Sequence, residues 1–246
     1  MKKNSSYLRF LALAGGLLSV STASLAQVNL NSISVGASYW KPSLDYWNQR
    51  SLLTDYNGGQ GATLGGQVMP HVALEVGLAK GLSLGGRAGY WRSSAAGNLS
   101  TGGVNRSEKL TLAIIPVSLD LTYRFNPARP AATTDASDQS AKPKTPFVVP
   151  YVGVGLSRYF INNTFTRTVA SGSGSVNESQ SGNNYGVQVF AGAERKLVKK
   201  LYLALDVRYH LGSYNQLVQT ESTSTAEKVS LNGLEAGLAL RLKLAE

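Results

Sequence analysis

Apolar and polar side chains alternate at every second position along much of this chain. In the stretch LYLALDVRYHLG (201–212), Asp206, Arg208 and His210 are separated by apolar or aromatic residues. Successive side chains of a β-strand point to opposite faces, so this spacing predicts a strand with one apolar and one charged face. The eight stretches with this alternation are 31–40, 68–80, 82–92, 114–125, 147–160, 185–196, 201–212 and 231–244.

The make-up of the two faces indicates which kind of β protein this is. A sandwich or a soluble ligand-binding barrel also alternates, but it shows its polar face to water. Here the polar faces are rich in Gly, Ser and other small residues with a few charges, which suits a crowded polar lumen. The apolar faces are long enough for a tilted strand to cross hydrocarbon. Because open sheet edges are not tolerated in lipid, we predict an all-β fold, a closed antiparallel eight-stranded transmembrane β-barrel.

Connection lengths support a barrel with short periplasmic turns and long extracellular loops, the arrangement of bacterial outer-membrane barrels. Short turns are predicted near Lys80 and near Lys199. Long loops are predicted at 41–67, 93–110, 161–184 and 213–228. The Pro-, Ala- and Ser-rich segment 126–146 is longer than a periplasmic turn usually is, and we interpret it as a flexible turn, with a linker between two half-units as the alternative.

The N-terminus has the pattern of a secretory signal peptide. Basic residues precede an apolar run at 10–20, and small residues follow up to Ala26. The alternative is a buried or membrane-inserted start, but the run is too short to span a bilayer. We therefore predict that 1–26 is cleaved, that 27–246 is the barrel domain, and that the protein is exported to the bacterial outer membrane.

Charge and cysteine content narrow the partners. The formal net charge is +10, and removing Lys2, Lys3 and Arg9 with the signal peptide leaves +7. Basic residues do not cluster with aromatic ones, so we predict no nucleic-acid partner. Anionic lipid head groups or lipopolysaccharide are the favoured neighbours, and a solvated basic surface without a ligand is the alternative. The absence of cysteine excludes a lipoprotein anchor, disulfides and thiolate metal sites.

The predicted lumen faces carry a set of charged residues that is the main candidate site. Glu75 and Arg87 are expected to lie directly or diagonally opposite on neighbouring strands. Opposite charges removed from bulk water must pair, so a salt-bridge network that plugs the lumen is expected, and a narrow gated ion path is the alternative. The full set is Glu75, Arg87, Asp120, Arg124, Glu194, Lys196, Asp206, Arg208, His210, Glu235, Arg241 and Lys243.

Aromatic residues stand near the predicted strand ends, where interfacial girdles form in membrane barrels. Chance placement at so many strand ends is the alternative. The girdle candidates are Tyr39, Trp40, Tyr90, Trp91 and Phe160 at outer ends, and Tyr123, Phe125 and Phe147 at periplasmic ends.

Catalysis is not predicted. Only His71 and His210 could act as imidazole bases. A membrane lipid-A deacylase would place His and Ser two residues apart on one outward face, whereas Ser213 follows His210 by three and points to the opposite face. Two scattered histidines do not make a metal site, so no catalytic residue, metal or cofactor is expected.

The chain resembles the small eight-stranded outer-membrane β-barrel superfamily, which includes the OmpA transmembrane domain and OmpW-like proteins. The stretches that carry the resemblance are IPVSLDLTYRF (115–125), VPYVGVGLSRYF (149–160), 186–212 and 233–244. The sequence departs from such barrels at its end, which reads Leu244-Ala245-Glu246 where an aromatic residue usually stands.

We therefore predict a monomeric outer-membrane barrel of the porin-like class with a structural or interaction role and a charge-plugged lumen. A narrow channel for small solutes is one alternative. Passage of ions would use the charged lumen, while passage of small apolar molecules is implied by the OmpW-like resemblance alone. A surface adhesion or recognition barrel is the other alternative, with the Gly-, Ser- and Asn-rich loops 41–67 and 161–184 as candidate ligand sites.

Overall fold

Strands account for most of the chain in the computed structural model, which describes residues 30–49, 63–101, 104–125, 148–170, 174–220 and 223–244. The elements within these ranges are β1 (Leu30–Pro42), α1 (Asp45–Gln49), β2 (Gln67–Ala79), β3 (Leu82–Gly89), β4 (Trp91–Thr101), β5 (Val104–Arg124), β6 (Val149–Val169), β7 (Val176–Val198), β8 (Leu201–Thr220), β9 (Thr223–Ser230) and β10 (Gly233–Lys243). None of the described helices has the length and apolarity needed to cross a membrane. The predicted signal peptide and the 126–146 turn lie outside the described residues.

Antiparallel pairing closes the sheet into a ring of eight strands. The order is β1, β2, β3, β5, β6, β7, β8 and β10, and β10 pairs with β1 again. The closing register runs from Ser32 opposite Lys243 to Pro42 opposite Gly233. This closure confirms the predicted fold class, because it leaves neither edge of the ring unpaired.

The ring continues at one end into hairpins that are longer than predicted. β4 follows β3 after Tyr90 and pairs with the first half of β5, and β9 pairs with the last part of β8. The predicted loops 93–110, 161–184 and 213–228 are therefore wrong as loops, since most of their described residues lie in strands. Of the predicted loop 41–67, the structure describes the end of β1, α1 and the segment 63–66.

Short turns join the strands at the opposite end, as predicted. β2 and β3 are joined at Lys80 and Gly81, and β7 and β8 at Lys199 and Lys200. Gly81 has a φ of 75°, a left-handed conformation that favours glycine. Both described chain ends lie at this end too, where the Leu244 amide donates to the Asn31 carbonyl at 2.8 Å. In outer-membrane barrels this is the periplasmic end, so the long hairpins mark the extracellular end.

The two faces of the ring have the polarity predicted for a membrane barrel. On β10, Leu234 and Leu238 are 55% and 52% exposed, whereas Glu235 and Arg241 are buried. The same division holds around the ring, where exposed Val, Leu and Tyr side chains form a continuous belt. Such a belt is unfavourable in water at about 25 cal/mol per Å² of apolar surface, so its natural surroundings are hydrocarbon.

The polarity of the pleat reverses above this belt. In the membrane half of β5, Asp120 points inward and Leu119 outward, but nearer the extracellular end Leu112 points inward and Lys109 outward. The inward apolar residues of the long hairpins form a second core, here called the outer core. It comprises Trp40, Leu44, Trp47, Leu64, Met69, Trp91, Ala95, Leu110, Leu112, Ile114, Tyr159, Ile161, Phe165, Tyr214, Val229 and Leu231. The barrel is therefore built for lipid in one half and for water in the other.

Glycines in the lumen wall make room for aromatic rings from the neighbouring strand. Gly153 lies opposite Phe190, and Gly192 lies opposite Tyr151. A Cβ at Gly192 would overlap both the Tyr151 ring and the Leu205 carbonyl oxygen. Because the second of these is backbone, the strands would have to shift to admit a side chain.

Gly192→Ala should lower the free energy of unfolding by about 1–3 kcal/mol, the usual cost of overpacking. Gly77→Ala is the matched control, because nothing lies within 4 Å of the position a Cβ would take there. Urea unfolding of the two variants in lipid vesicles measures the difference. Equal stability of both variants would show that the Tyr151 ring does not require the glycine.

Candidate functional site

The lumen holds three layers of ion pairs, and the one nearest the short turns is here called the periplasmic tier. Arg124 of β5 contacts Glu75 of β2 at 2.5 Å and Glu194 of β7 at 3.3 Å. Arg241 of β10 contacts the same two carboxylates, with Glu75 at 3.2 Å. Lys243 contacts Glu194 at 2.7 Å. Two carboxylates thus share three cations, and the pairs join strands far apart in sequence.

Aromatic rings cover the cations of this tier. The Tyr151 ring centroid lies 5.8 Å from the Arg124 guanidinium carbon and 5.5 Å from that of Arg241, within cation–π range. The Tyr151 hydroxyl donates to the Leu205 carbonyl at 3.1 Å, which holds the ring across the lumen. Lys196 was predicted to join the lumen charges, but it lies exposed at the rim, 5.9 Å from the Tyr202 ring.

The middle tier centres on one arginine that bridges two carboxylates. Arg208 contacts Asp120 at 2.6 Å and Asp206 at 3.0 Å. The Gln188 amide donates to the other Asp120 oxygen at 2.6 Å. The Arg208 guanidinium also lies over the Phe190 ring at 4.1 Å. This tier has one more carboxylate than cations, which balances the extra cation of the periplasmic tier.

The outer tier pairs Arg87 with Glu235 through both guanidinium Nη atoms. His210 is fully buried, with its Nε2 2.7 Å from Glu235 and its Nδ1 3.0 Å from the Tyr159 hydroxyl. The register places Glu75 and Arg87 diagonally on neighbouring strands, as predicted, but each finds its ion-pair partner elsewhere. Sequence alternation predicts the positions of Glu75 and Arg87 on the inward faces of their strands. It does not predict their ion-pair partners, which lie on other strands of the ring.

Counted over the three tiers, the network has five carboxylates and five cations. The carboxylates are Glu75, Asp120, Glu194, Asp206 and Glu235, and the cations are Arg87, Arg124, Arg208, Arg241 and Lys243. The formal charges of these ten side chains sum to zero. Neutrality matters here because an uncompensated charge is costly in a crowded, weakly polar interior.

Two tryptophans close the lumen above the outer tier. Trp40 and Trp91 are fully buried, with ring centroids 5.9 Å apart, and the Trp91 indole donates to the Trp40 carbonyl at 3.0 Å. Their prediction as girdle residues is therefore wrong. Neighbouring residues on a strand face opposite ways, so the outward positions belong to Tyr39 and Tyr90.

Among the described residues, the remaining girdle candidates lie on the outside of the barrel. Tyr39, Tyr90 and Phe160 are exposed near the outer edge of the belt. Tyr123 and Phe125 are exposed near the short turns, with ring centroids 5.1 Å apart. Phe147 lies outside the described residues. The exposed aromatic rings thus lie toward the two edges of the apolar belt, where amphipathic rings suit the lipid head groups.

The outer core extends the closure beyond the tryptophans. Trp47 of α1 packs into it, and the Asn48 side chain bonds to both the carbonyl and the amide of Leu64, at 3.1 and 2.9 Å. Burial raises the pKa of the Tyr214 phenol, so its hydroxyl remains protonated and donates to Gln216 at 3.3 Å. Sequence reasoning missed this core. Its signal is the pair of apolar residues Leu110 and Leu112 at inward-pointing positions of β5.

Little free volume remains between these layers. A cavity of about 30 Å³ lies between the periplasmic and middle tiers, lined by His71, Glu75 and Arg208 among others. That volume accommodates a water molecule or two rather than a solute path. Among the described residues, no group of three His, Cys, Asp or Glu side chains could hold a metal ion.

Comparison with known proteins identifies the fold. The chain matches no family model and no curated protein. It is similar to the outer membrane protein OprG from Pseudomonas aeruginosa, with 14% identity over 88% of this chain and 97% of that one, and a TM-score of 0.50. The chain has the fold of the small outer-membrane β-barrels. This confirms the resemblance inferred from the sequence, at the level of fold.

Other solved outer-membrane barrels are similar at lower scores. Neisserial surface protein A shares 14% identity over 87% of this chain and 96% of that one, with a TM-score of 0.43. The N-terminal barrel domain of Pseudomonas aeruginosa OprF shares 11% identity over 87% and 98%, with a TM-score of 0.38. These similarities concern the fold alone.

Glu194→Gln should lower the free energy of unfolding by about 3–5 kcal/mol, because it leaves buried cations without their shared carboxylate. Glu178→Gln makes the same change on the same strand at an exposed position, and it should leave stability unchanged. Urea unfolding of both variants in lipid vesicles, followed by tryptophan fluorescence, provides the comparison. A loss of equal size in both variants would contradict a structural role for the periplasmic tier.

Proposed function

We propose that this chain is a bacterial outer-membrane protein with a sealed lumen and a structural or interaction role, rather than a transporter. Export through a cleaved signal peptide at 1–26 and a monomeric state are parts of this proposal. The observation that carries it is the continuous filling of the lumen by three ion-pair tiers, a tryptophan pair and the outer core.

An ion path would need these layers to open. Arg124, Arg208 and Arg87 each bond carboxylates on other strands of the ring, so a conducting state must break buried pairs at several kcal/mol each. Above the pairs, most of the inward side chains are apolar, and the buried carboxylate Glu108 is already paired with Arg167 at 2.5 Å. An apolar solute would have to pass the ion pairs in the periplasmic half of the lumen, which offer it no apolar contact surface of comparable extent. Both obstacles favour a sealed barrel over the channel alternatives.

The extended hairpins support an interaction role. They rise beyond the apolar belt, carry apolar residues inside and polar residues such as Lys109, Thr164 and Asn215 outside, and so form a folded module in water. Rigid strands present a surface with less conformational entropy to lose on binding than flexible loops. In this proposal, the described parts of 161–184 bind a partner as strand surface rather than as loop.

A non-catalytic role for His210 is part of the same proposal. Its two ring nitrogens are engaged by Tyr159 and Glu235. Its ring centroid lies 4.7 Å from that of Trp40, with the two planes tilted by 38°, and the side chain has no solvent exposure. A substrate would have no route to this imidazole in the sealed state. The geometry therefore favours a histidine that ties the outer tier to the tryptophan lid.

Single-channel recording of the refolded chain in a planar bilayer tests the sealed lumen. The unmodified protein should give no discrete openings once its insertion has been verified by heat-dependent migration on an SDS gel. Trp40→Ala removes part of the tryptophan lid and should introduce openings. Tyr39→Ala, which truncates the neighbouring aromatic residue on the lipid face, should remain as silent as the unmodified protein.

The opposite result would identify a gated pore. Discrete openings of the unmodified protein whose amplitude or frequency changes with Arg87→Ala or Glu75→Gln would place the conducting path through the ion-pair network. That outcome would overturn the sealed-lumen proposal and favour the small-solute channel.

A further inference from the structure

Charge is divided by sign between the two faces of the barrel wall. In the described strands, every Asp and Glu occupies an inward-pointing position in the alternation, including those of the three tiers. The outward-pointing charged residues of the same strands are all basic, namely Lys41, Arg92, Lys109, Arg158, Arg195 and Lys228. The outer wall therefore presents a positive surface to whatever surrounds the barrel.

Arg158 lies within the extracellular edge of the apolar belt. It occupies the same face of β6 as Leu156 and Phe160, which are 55% and 42% exposed. A charged side chain in hydrocarbon is costly, and a long one near the edge of the belt extends toward the head groups. The guanidinium lies 5.3 Å from the Phe160 ring centroid and 5.1 Å from that of Tyr185, so two lipid-facing rings hold it.

The bonds that Arg158 makes leave its charge uncompensated. Nη1 donates to the Tyr185 hydroxyl at 3.1 Å and Nη2 to the Asn183 amide oxygen at 2.9 Å. Both acceptors are neutral, and Arg158 makes no ion pair with any acidic residue in the described part of the chain. Each Nη carries two hydrogens, so one N–H on each remains available. The unused N–H groups of a guanidinium can donate to the oxygens of a phosphate.

The ligand is indicated by the position of this group. The short turns lie at the other end of the barrel, so Arg158 is at the border between the extracellular space and the outer leaflet. Arg92 stands on the same border, since its partner Ala113 pairs in turn with Asn162, two residues beyond Phe160. This places Arg92 two strands from Arg158, about 10 Å across the sheet and about 13 Å along it. A phosphate attached to acyl chains would suit both Arg158 and the rings beside it.

We propose that Arg158, Phe160 and Tyr185, here called the phosphate clamp, bind a phosphate of a phosphorylated glycolipid of the outer leaflet, such as lipid A. The guanidinium binds the phosphate, and the two rings contact the first part of the acyl chains. The clamp faces away from the lumen, so this proposal is independent of the sealed-lumen proposal. Conductance measurements do not test whether the clamp binds phosphate.

Titration of the refolded chain in dodecyl maltoside micelles, which contain no phosphate, tests the clamp. The guanidinium N–H resonance of Arg158, identified by its loss in Arg158→Gln, is followed as diphosphoryl lipid A is added. Saturable shifts of this resonance are expected. Binding by Arg158→Lys, which keeps the charge but lacks the guanidinium donors, is followed through the backbone amide resonance of Tyr185 in both proteins, and its affinity should be about tenfold weaker. Lys199→Gln, which removes one charge at the opposite end, should bind as the unmodified protein does.

Two further ligands separate lipid binding from general anion binding. Lipid A from which the phosphates have been removed should leave the Arg158 resonance unshifted, because only the rings would remain as contacts. Inorganic phosphate in solution should also leave it unshifted at matched concentration, because it lacks the acyl chains. A shift of equal size with dephosphorylated lipid A or with inorganic phosphate would overturn the proposal, as would the absence of any shift with diphosphoryl lipid A.

Discussion

Closure of the backbone hydrogen-bond ring is the constraint on which the rest of this structure depends. A strand in hydrocarbon has no water to satisfy its N–H and C=O groups, so β10 must pair with both β8 and β1. Once the ring is closed, side chains have only two directions available, outward to lipid or inward to a narrow lumen. The alternation in the sequence follows from this division.

The narrow lumen explains the composition of its lining. Charged residues placed inside must find opposite charges across the ring, and the equal numbers of carboxylates and cations leave the network neutral. Rings such as Tyr151 and Phe190 fill the space between the tiers, and they fit because glycine stands opposite each of them on the neighbouring strand. Close packing, rather than a water-filled path, is the result.

The reversal of side-chain polarity along β5 and its neighbours shows how one strand can suit both lipid and water. Within the belt, outward side chains face hydrocarbon and are apolar, while beyond it they face water and are polar. The boundary between these halves is the most chemically varied part of the wall, because lipid head groups meet the protein there. Arg158 and its two rings lie at this boundary, and the lumen is closed by Trp40 and Trp91 near the extracellular end of the belt.

Local alternation was enough to predict the strands of the membrane half, their two faces, the short turns and most of the lumen charges, because the two-residue period is a local property of the backbone. Which charges pair, as Arg87 does with Glu235, follows from the folded ring, since partners across it depend on register and curvature. The tertiary structure also decided that Trp40 and Trp91 point inward and that the hairpins continue beyond the belt around an apolar core. Those features depend on where lipid gives way to water, a boundary that the sequence marks only by a reversal of alternation.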